Sequence, residues 1–319
     1  MNQTLPASFL ERGVLIFGER LFRDIQPTFI ERPTTLRVND IKASKHENIK
    51  TTLVEQGFKL QSVSWYTDAY ILLNKSKREL TETDVYKDGK IYIQSLASMV
   101  PPLVLDPQPG ERVLDLTAAP GSKTSQIAAL MGCVGELVAN DNNRVRFFKL
   151  KHNLETLGVA AENDGWIFRL RMEHGAKLCQ EYREYFDKIL LDAPCSAEAR
   201  FVVDEPRTHG YWSERKIKEM AYKQRQLLLS AWGALKPGGT LVYSTCTFAP
   251  EENELQISRL FERYSDARAV DIRVDDLKIV PPLKKWKDKD LHAGVAKAIR
   301  ILPTKEIEGF FVAKIKKQS

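Results

Sequence analysis

The chain has 319 residues, enough for one large domain and a small one around a sizeable core. Lys and Arg number 48 against 42 Asp and Glu, which favours a polyanionic partner without establishing one. No apolar run approaches the roughly 20 residues of a membrane span, and Glu11, Arg12 and Glu19 interrupt the first apolar segment, so neither a membrane protein nor a secretory leader is expected.

In chain order, residues 1–95 read as a small α+β unit. Leu10, Val14, Phe17 and Leu21 recur on one face of a helix. TTLRVN (34–39) reads as a strand, KHENIKTTLVEQGF (45–58) as a helix ending near Gly57, and AYILLN (69–74) as a strand. SLASMVPPLVLDPQPGER (95–112), with Pro101, Pro102, Pro107 and Pro109, marks the boundary to a second domain, 96–319. There strands and helices alternate. RVLDLT (112–117), GELVAND (135–141), DKILLDA (187–193), TLVYSTC (240–246) and GFFVAKI (309–315) read as strands. The helices between them begin at Gly121, Arg144, Ser213 and Pro250, the third closed by Lys-Pro-Gly-Gly. Apolar strands separated by helices predict an α/β fold, a doubly wound Rossmann-like parallel sheet covered on both faces.

The turn after the first of these strands, LDLTAAPGSKT (114–124), is where an open α/β sheet brings a ligand against its backbone. It is neither Gly-x-Gly-x-x-Gly nor a phosphate-cradling Gly-Lys-Ser/Thr loop. Ala118, Ala119 and Gly121 leave room for a flat ligand. Asp141, at the end of the second strand, suits a ribose diol, and Asp164 in ENDG suits an adenine amino group. These three anchors describe a nucleoside site; the alternative is that the acids cap helices.

The four cysteines, Cys133, Cys179, Cys195 and Cys246, include no Cys-x-x-Cys pair and stand apart from the five histidines. No metal site is expected, and the chain reads as cytoplasmic with free thiols. Cys133 and Cys179 read as small buried hydrophobes. Cys195 and Cys246 differ, because each follows an apolar strand. If DKILLDA and TLVYSTC are the fourth and fifth strands, they are neighbours, and both thiols face one crevice beside the ligand.

LDLTAAPGSKT, LDAPCS and VYSTCTFAPEENE together resemble the Sun/Nop family of RNA cytosine-5 methyltransferases, and RPTTLRVN and RILPTKEIEGFFVAKIKK resemble its flanking segments. The resemblance runs from about residue 30 to residue 317. It implies a methyltransferase domain that takes S-adenosylmethionine, and a structured RNA, ribosomal or transfer, as partner of a monomer. Thr117, Ala118, Ala119, Pro120, Gly121, Ser122 and Lys123, with Asp141, Arg146, Asp164 and Asp192, would form the cofactor site. Arg146 either fixes the ribose end by pairing with Asp141 or is a surface ion pair.

Carbon 5 of cytosine is too electron-poor to attack a methyl donor; a thiolate added at carbon 6 makes it an enamine-like nucleophile. The resemblance implies that Cys246 is this nucleophile and that Cys195 resolves the adduct. Asp192 would bond the cytosine edge. Lys123 would lower the Cys246 pKa or help remove its proton, or else is an exposed first-turn residue. Thr117, Ser122 and Ala197 replace a cysteine and two glycines of the family pattern. A side chain at positive φ at either glycine position costs about 1–2 kcal/mol. Arg207, His209, Tyr211, Trp212, Arg215, Lys216 and Lys218, with KKWKDK (284–289), are expected to stack on unpaired bases and contact phosphate, unless they form a solvated face. With no further RNA-binding domain after residue 317, the first 95 residues are the expected RNA reader. Two other functions compete, a non-catalytic RNA-binding assembly factor and a DNA cytosine-5 methyltransferase. Retention of Cys195, Cys246, Asp192 and Lys123 together argues against the first, and the Thr-Cys-Thr cysteine against the second.

Overall fold

The computed structural model describes residues 5–43, 48–162 and 164–319. Helices α1 (Ala7–Phe17) and α2 (Glu19–Ile25) break at Gly18, whose φ is 77°. Their inner face is not the expected one: Val14 is exposed, while Phe9, Ile16, Phe22 and Ile25 are buried. Gly13 admits the Phe22 ring, since a Cβ there would lie 2.1 Å from Phe22 Cζ. These side chains pack on Phe201, Phe248 and Trp286 of the larger body.

Strands β1 (Thr35–Val38), β2 (Leu60–Val63), β3 (Tyr66–Leu72) and β4 (Ile91–Ile93) form an antiparallel sheet in the order β2-β3-β1-β4. With α3 (Ile49–Glu55), α4 (Lys77–Thr81) and α5 (Asp84–Lys87) they enclose a core of Leu36, Leu53, Phe58, Leu80 and Ile91. Residues 45–47 of the helix expected here lie outside the described residues. The sheet is fastened to the body by buried polar contacts: Arg37 Nη2 donates to Ser125 Oγ (2.9 Å) and Asn39 Nδ2 to the Leu157 carbonyl (2.9 Å).

The proline-rich boundary is a helix, α6 (Leu96–Leu105), with Pro101 and Pro102 inside it and almost every residue buried. An interior proline costs about 3 kcal/mol, but each buried Leu, Val or Met returns roughly 1.5–3 kcal/mol, so burial overrides propensity.

The larger sheet contains β5 (Arg112–Asp115), β6 (Gly135–Asn140), β7 (Trp166–Arg171), β8 (Phe186–Asp192) and β9 (Leu235–Thr245), all parallel and ordered β7-β6-β5-β8-β9. DKILLDA and TLVYSTC are therefore neighbours, as the crevice argument requires, and the Lys-Pro-Gly-Gly segment belongs to β9. The sheet then turns antiparallel, which the parallel reading did not foresee. Strands β10 (Ala267–Val270) and β14 (Ile299–Ile301) pair with β15 (Phe310–Lys317), itself antiparallel to β9, β11 (Ile279–Val280) pairs with β14, and β12 (Lys285–Trp286) and β13 (Lys289–Asp290) form a separate ribbon. Helices α7 (Ser122–Leu130) and α8 (Arg144–Thr156) join α6 on one face; α9 (Gly175–Glu181), α10 (Glu214–Ala234) and α11 (Glu254–Arg263) cover the other. Successive strand residues serve opposite cores, Leu190 and Val242 with the first and Leu191 and Tyr243 with the second, as the two-residue strand period requires.

Candidate active site

The carboxyl ends of the parallel strands open into a cavity of about 860 Å³. Of the residues expected there, Thr117, Ala118, Ala119, Pro120, Ser122, Lys123, Asp141, Arg146, Asp192, Cys195 and Cys246 line it. Two do not. Gly121 turns the chain into α7 with φ 105° and packs against Leu150 and Leu154 of α8. Asp164 is exposed on the loop entering β7, where the adjacent Gly165 carbonyl accepts from the first residue of β6. It therefore lies at the amino ends of the strands, opposite the cavity. The side chain after β7 that does face the cavity is His174.

The wall beyond β5 and β6 is made by the turns that follow these two neighbouring strands. Asp141 is buried and accepts from the backbone N–H of Asn143 (3.0 Å) and of Ala119 (3.3 Å). Arg146 Nη2 lies 3.2 Å from Asp141 Oδ2 and donates to the Ala119 carbonyl (2.7 Å). One lone pair of Asp141 Oδ1 remains for a ligand hydroxyl. Deeper in the wall, Thr124 Oγ1 donates to Asp115 Oδ2 (2.7 Å), while Oδ1 has no partner among the described residues. Burial pushes the Asp115 carboxyl up to about 7.

The wall beyond β8 and β9 carries the sulfurs. Asp192 and Ser244 are register partners in adjacent strands, and Ser244 Oγ donates to Asp192 Oδ1 (2.8 Å). Two and three residues on, the chains bring Cys195 Sγ and Cys246 Sγ to 3.4 Å. Both thiols are free and half-buried. A disulfide needs about 2.05 Å, so this is a thiol–thiol contact. The hydrogen bond from Cys195 is the main influence drawing the Cys246 thiol down to about 7; burial opposes it and the Arg200 guanidinium assists. The same hydrogen bond, then burial, pushes Cys195 well above the ordinary thiol value. The contact thus draws Cys246 down and Cys195 up from the ordinary thiol value.

Lys123 lines the cavity and is not exposed, but its ammonium pairs with Asp192. Its ammonium is buried, 2.7 Å from Asp192 Oδ2 and donating to Ser98 Oγ of α6 (2.7 Å). The cation that acts on Cys246 is instead Arg200, in a 3₁₀ turn (Glu198–Arg200) at the cavity wall, just after Ala199 N–H bonds the Cys246 carbonyl (3.1 Å). The sequence offered no more than a lone arginine five residues after Cys195. Ala197, before that turn, has φ 57° and ψ 31°, so one of the two glycine positions does carry left-handed strain; Ser122, the first residue of α7, does not.

The aromatic clusters divide. Tyr211 is exposed, and Tyr222 stands exposed at the cavity rim. Trp212 instead donates to Glu198 (2.8 Å) and packs edge-on against Phe9; Trp286 is buried and donates to Glu251 (3.0 Å); His209 is buried against Phe201. These three are packing residues.

Residues 102–316 match the family model described as 16S rRNA methyltransferase RsmB/F. The chain is 35% identical over 302 residues to a tRNA (cytosine(49)-C(5))-methyltransferase of Pyrococcus abyssi, covering 94% of this chain and 91% of that protein. It is 38% identical over 332 aligned positions to ribosomal RNA small subunit methyltransferase F of Vibrio vulnificus, covering 99% of this chain but 65% of that longer protein. The crystal structure of a methyltransferase homologue from Pyrococcus horikoshii superposes with a TM-score of 0.82 at 34% identity, covering 97% of this chain and 94% of that one. The paired strand-end cysteines, the family match and relatives aligned over nearly the whole chain agree: the protein belongs to the Sun/Nop family of RNA cytosine-5 methyltransferases.

Proposed function

We propose that the protein transfers a methyl group from S-adenosylmethionine to carbon 5 of a cytosine in a structured ribosomal or transfer RNA, through a covalent adduct of Cys246 Sγ with carbon 6. The observation that carries this reading is the pair of sulfurs 3.4 Å apart at the ends of adjacent parallel strands, one of them drawn down to about 7.

The residues opposite fit the cofactor. The small Ala118 and Ala119 flank a flat surface, Asp141 keeps an acceptor for a ribose hydroxyl, and the unpartnered Asp115 Oδ1 suits an ammonium group. When bound, S-adenosylmethionine supplies an electrophilic methyl group. The chain's own residues prepare the base. The Cys246 thiolate adds to carbon 6 and pushes electron density to carbon 5. Asp192, held by Lys123 and Ser244, bonds the cytosine edge and stabilises protonation at the ring nitrogen. After methylation the carbon 5 proton passes to solvent water, the C6–S bond breaks with its electron pair leaving on Cys246 Sγ, and the aromatic ring is restored. Cys195, in contact with Cys246, stabilises the departing thiolate by hydrogen bonding.

Support for RNA also comes from the surface. Along α8, Arg144, Val145, Phe148 and Lys151 share one exposed face, with the Arg144 guanidinium over the Phe148 ring. Cations interleaved with an exposed aromatic suit phosphate and base contacts. The small sheet of residues 35–93, packed beside α8, is assigned here as a further RNA-reading surface. A target cytosine within a helix must flip to reach the sulfur.

The test is methyl transfer to transcribed ribosomal and transfer RNAs, with modified positions read by chemical sequencing. One or a few cytosines modified by wild type and none by Cys246→Ala is the expected result. Cofactor binding without modification of any RNA contradicts the proposal.

A further inference from the structure

The segment after Cys246 contains Glu251, Glu252, Asn253 and Glu254, which lead into α11. Each side chain reaches a different part of the molecule. Glu251 pairs with Arg12 of α1 (2.6 Å), Asn253 Oδ1 accepts from Thr245 Oγ1 (2.5 Å), and Glu254 pairs with Arg300 of β14 (2.5 Å). Glu252 reaches the loop of the other cysteine. Its side chain is fully buried, and Oε2 accepts from the Ser196 backbone N–H (3.0 Å) and from Gln224 Nε2 (2.8 Å). Oε1 meets Ser196 Oγ, which also contacts Thr247 Oγ1 (2.7 Å). Gln224 completes the clasp by donating to the Pro194 carbonyl (2.9 Å). Neither Glu252 nor Ser196 lines the cavity, so neither touches the base.

We propose that Glu252 is a positioning residue for Cys195: acting through Ser196, it holds the second thiol against Cys246 and so governs release of the covalent RNA adduct rather than its formation. This rests on the paired-thiol reading above. Cys246 has supports that do not involve Glu252. Its carbonyl accepts from Ala199 N–H (3.1 Å), Phe248 N–H bonds Glu198 (3.0 Å), and Arg300 bonds the Phe248 carbonyl (3.0 Å). The Cys195 loop leaves β8 after Ala193 N–H bonds the Ser244 carbonyl (2.8 Å), and its next side-chain anchors are Gln224 and Glu252. Loss of Glu252 therefore frees Cys195 preferentially, and a displacement of about 1 Å is enough to cost roughly 100-fold in a positioned step. Glu252 is the acceptor in this clasp: Ser196 Oγ donates to Oε1, and the Ser196 N–H and Gln224 Nε2 donate to Oε2. Burial, foremost, pushes this carboxyl up to about 8. Glutamine keeps the carbonyl acceptor for the Ser196 N–H and Gln224 at the same reach, and its amide can face Ser196 Oγ, which has lone pairs to accept; alanine presents none of these groups.

The experiment uses the full chain, S-adenosylmethionine and an RNA that wild type methylates. It reads covalent protein–RNA complex on denaturing gels, first-turnover methylation and steady-state turnover. Glu252→Ala is expected to complete its first turnover within about threefold of wild type, then turn over about tenfold more slowly while complex accumulates. Glu252→Gln is expected to behave as wild type. Ser196→Ala, a milder cut of the same link, is expected to accumulate complex as well, and it carries the test if Glu252→Ala does not fold. Complex in Cys195→Ala but none in Glu252→Ala or Ser196→Ala overturns the role of Glu252 alone. Loss of the first turnover in step with steady-state turnover overturns it too. Absence of complex in Cys195→Ala overturns the paired-thiol reading beneath it.

Discussion

The two walls of the cavity are built on different principles. The wall beyond β5 and β6 is local: Asp141 is fixed by Asn143, Arg146 and Ala119, and Asp115 by Thr124 nine residues later. The wall beyond β8 and β9 is stitched over long separations. Ser196 meets Glu252, Glu198 meets Thr247 and Phe248, and Arg12 of the first helix meets Glu251. The ligand cradle needs two neighbouring strands and the turns and helices that follow them, all within residues 115–146. Two sulfurs held 3.4 Å apart need two strands, two loops and buried acids to lock the loops together. On the proposed function, the division places cofactor binding on a short motif and the covalent chemistry on tertiary structure.

Cys246→Ala tests the separation most severely. It removes the nucleophile, so methyl transfer is expected to fall by roughly four orders of magnitude or more, while calorimetric titration shows cofactor binding unchanged. Joint loss of both would show that the walls are not separable. Asp141→Ala is the converse: the cofactor KM is expected to rise about tenfold with a smaller change in kcat, because a ground-state hydrogen bond to the ribose is removed.

Arg200→Gln probes the electrostatics of the sulfur wall. Cys246 titrates at about 7, so kcat/KM is expected to rise as pH increases through about 7, as thiolate forms, and to level off above it. Removing the cation destabilises the thiolate and moves that rise to higher pH. The loss is then several-fold at pH 7 and closes at pH values well above it. An unshifted profile would remove Arg200 from the account. The smallest effect is expected at Ala197, whose φ is 57°: Ala197→Gly relieves left-handed strain and raises stability by about 1 kcal/mol in thermal melts.

What the sequence disclosed follows the same division. The strands of the parallel sheet announced themselves by apolar runs ending in polar residues, and the cofactor turn by its small residues, because those signals are local. Strand β7 escaped, since WIFRLR is an edge strand with arginines on it. That omission moved Asp164 to the wrong end of the sheet: without β7, ENDG stood where a strand seemed to end. Pro101 and Pro102 marked a boundary only until burial of α6 was counted. Trp286 and His209 lay among cations in the sequence but are buried in the fold, and Trp212 is half-buried with its indole N–H bonded to Glu198. Arg200 carries no local signature, and Glu252, although inside the VYSTCTFAPEENE motif, gives no sign of its role, because their partners lie some 50 residues away across two loops.

The central claim is that Cys246 forms the bond to RNA and Cys195 releases it. The direct measurement is to express Cys195→Ala, purify it under denaturing conditions and sequence whatever RNA remains attached. The account predicts attached RNA, covalently linked at Cys246 and absent from Cys195→Ala/Cys246→Ala. A Cys195→Ala protein that carries no RNA, while wild type methylates the same RNA, would contradict it.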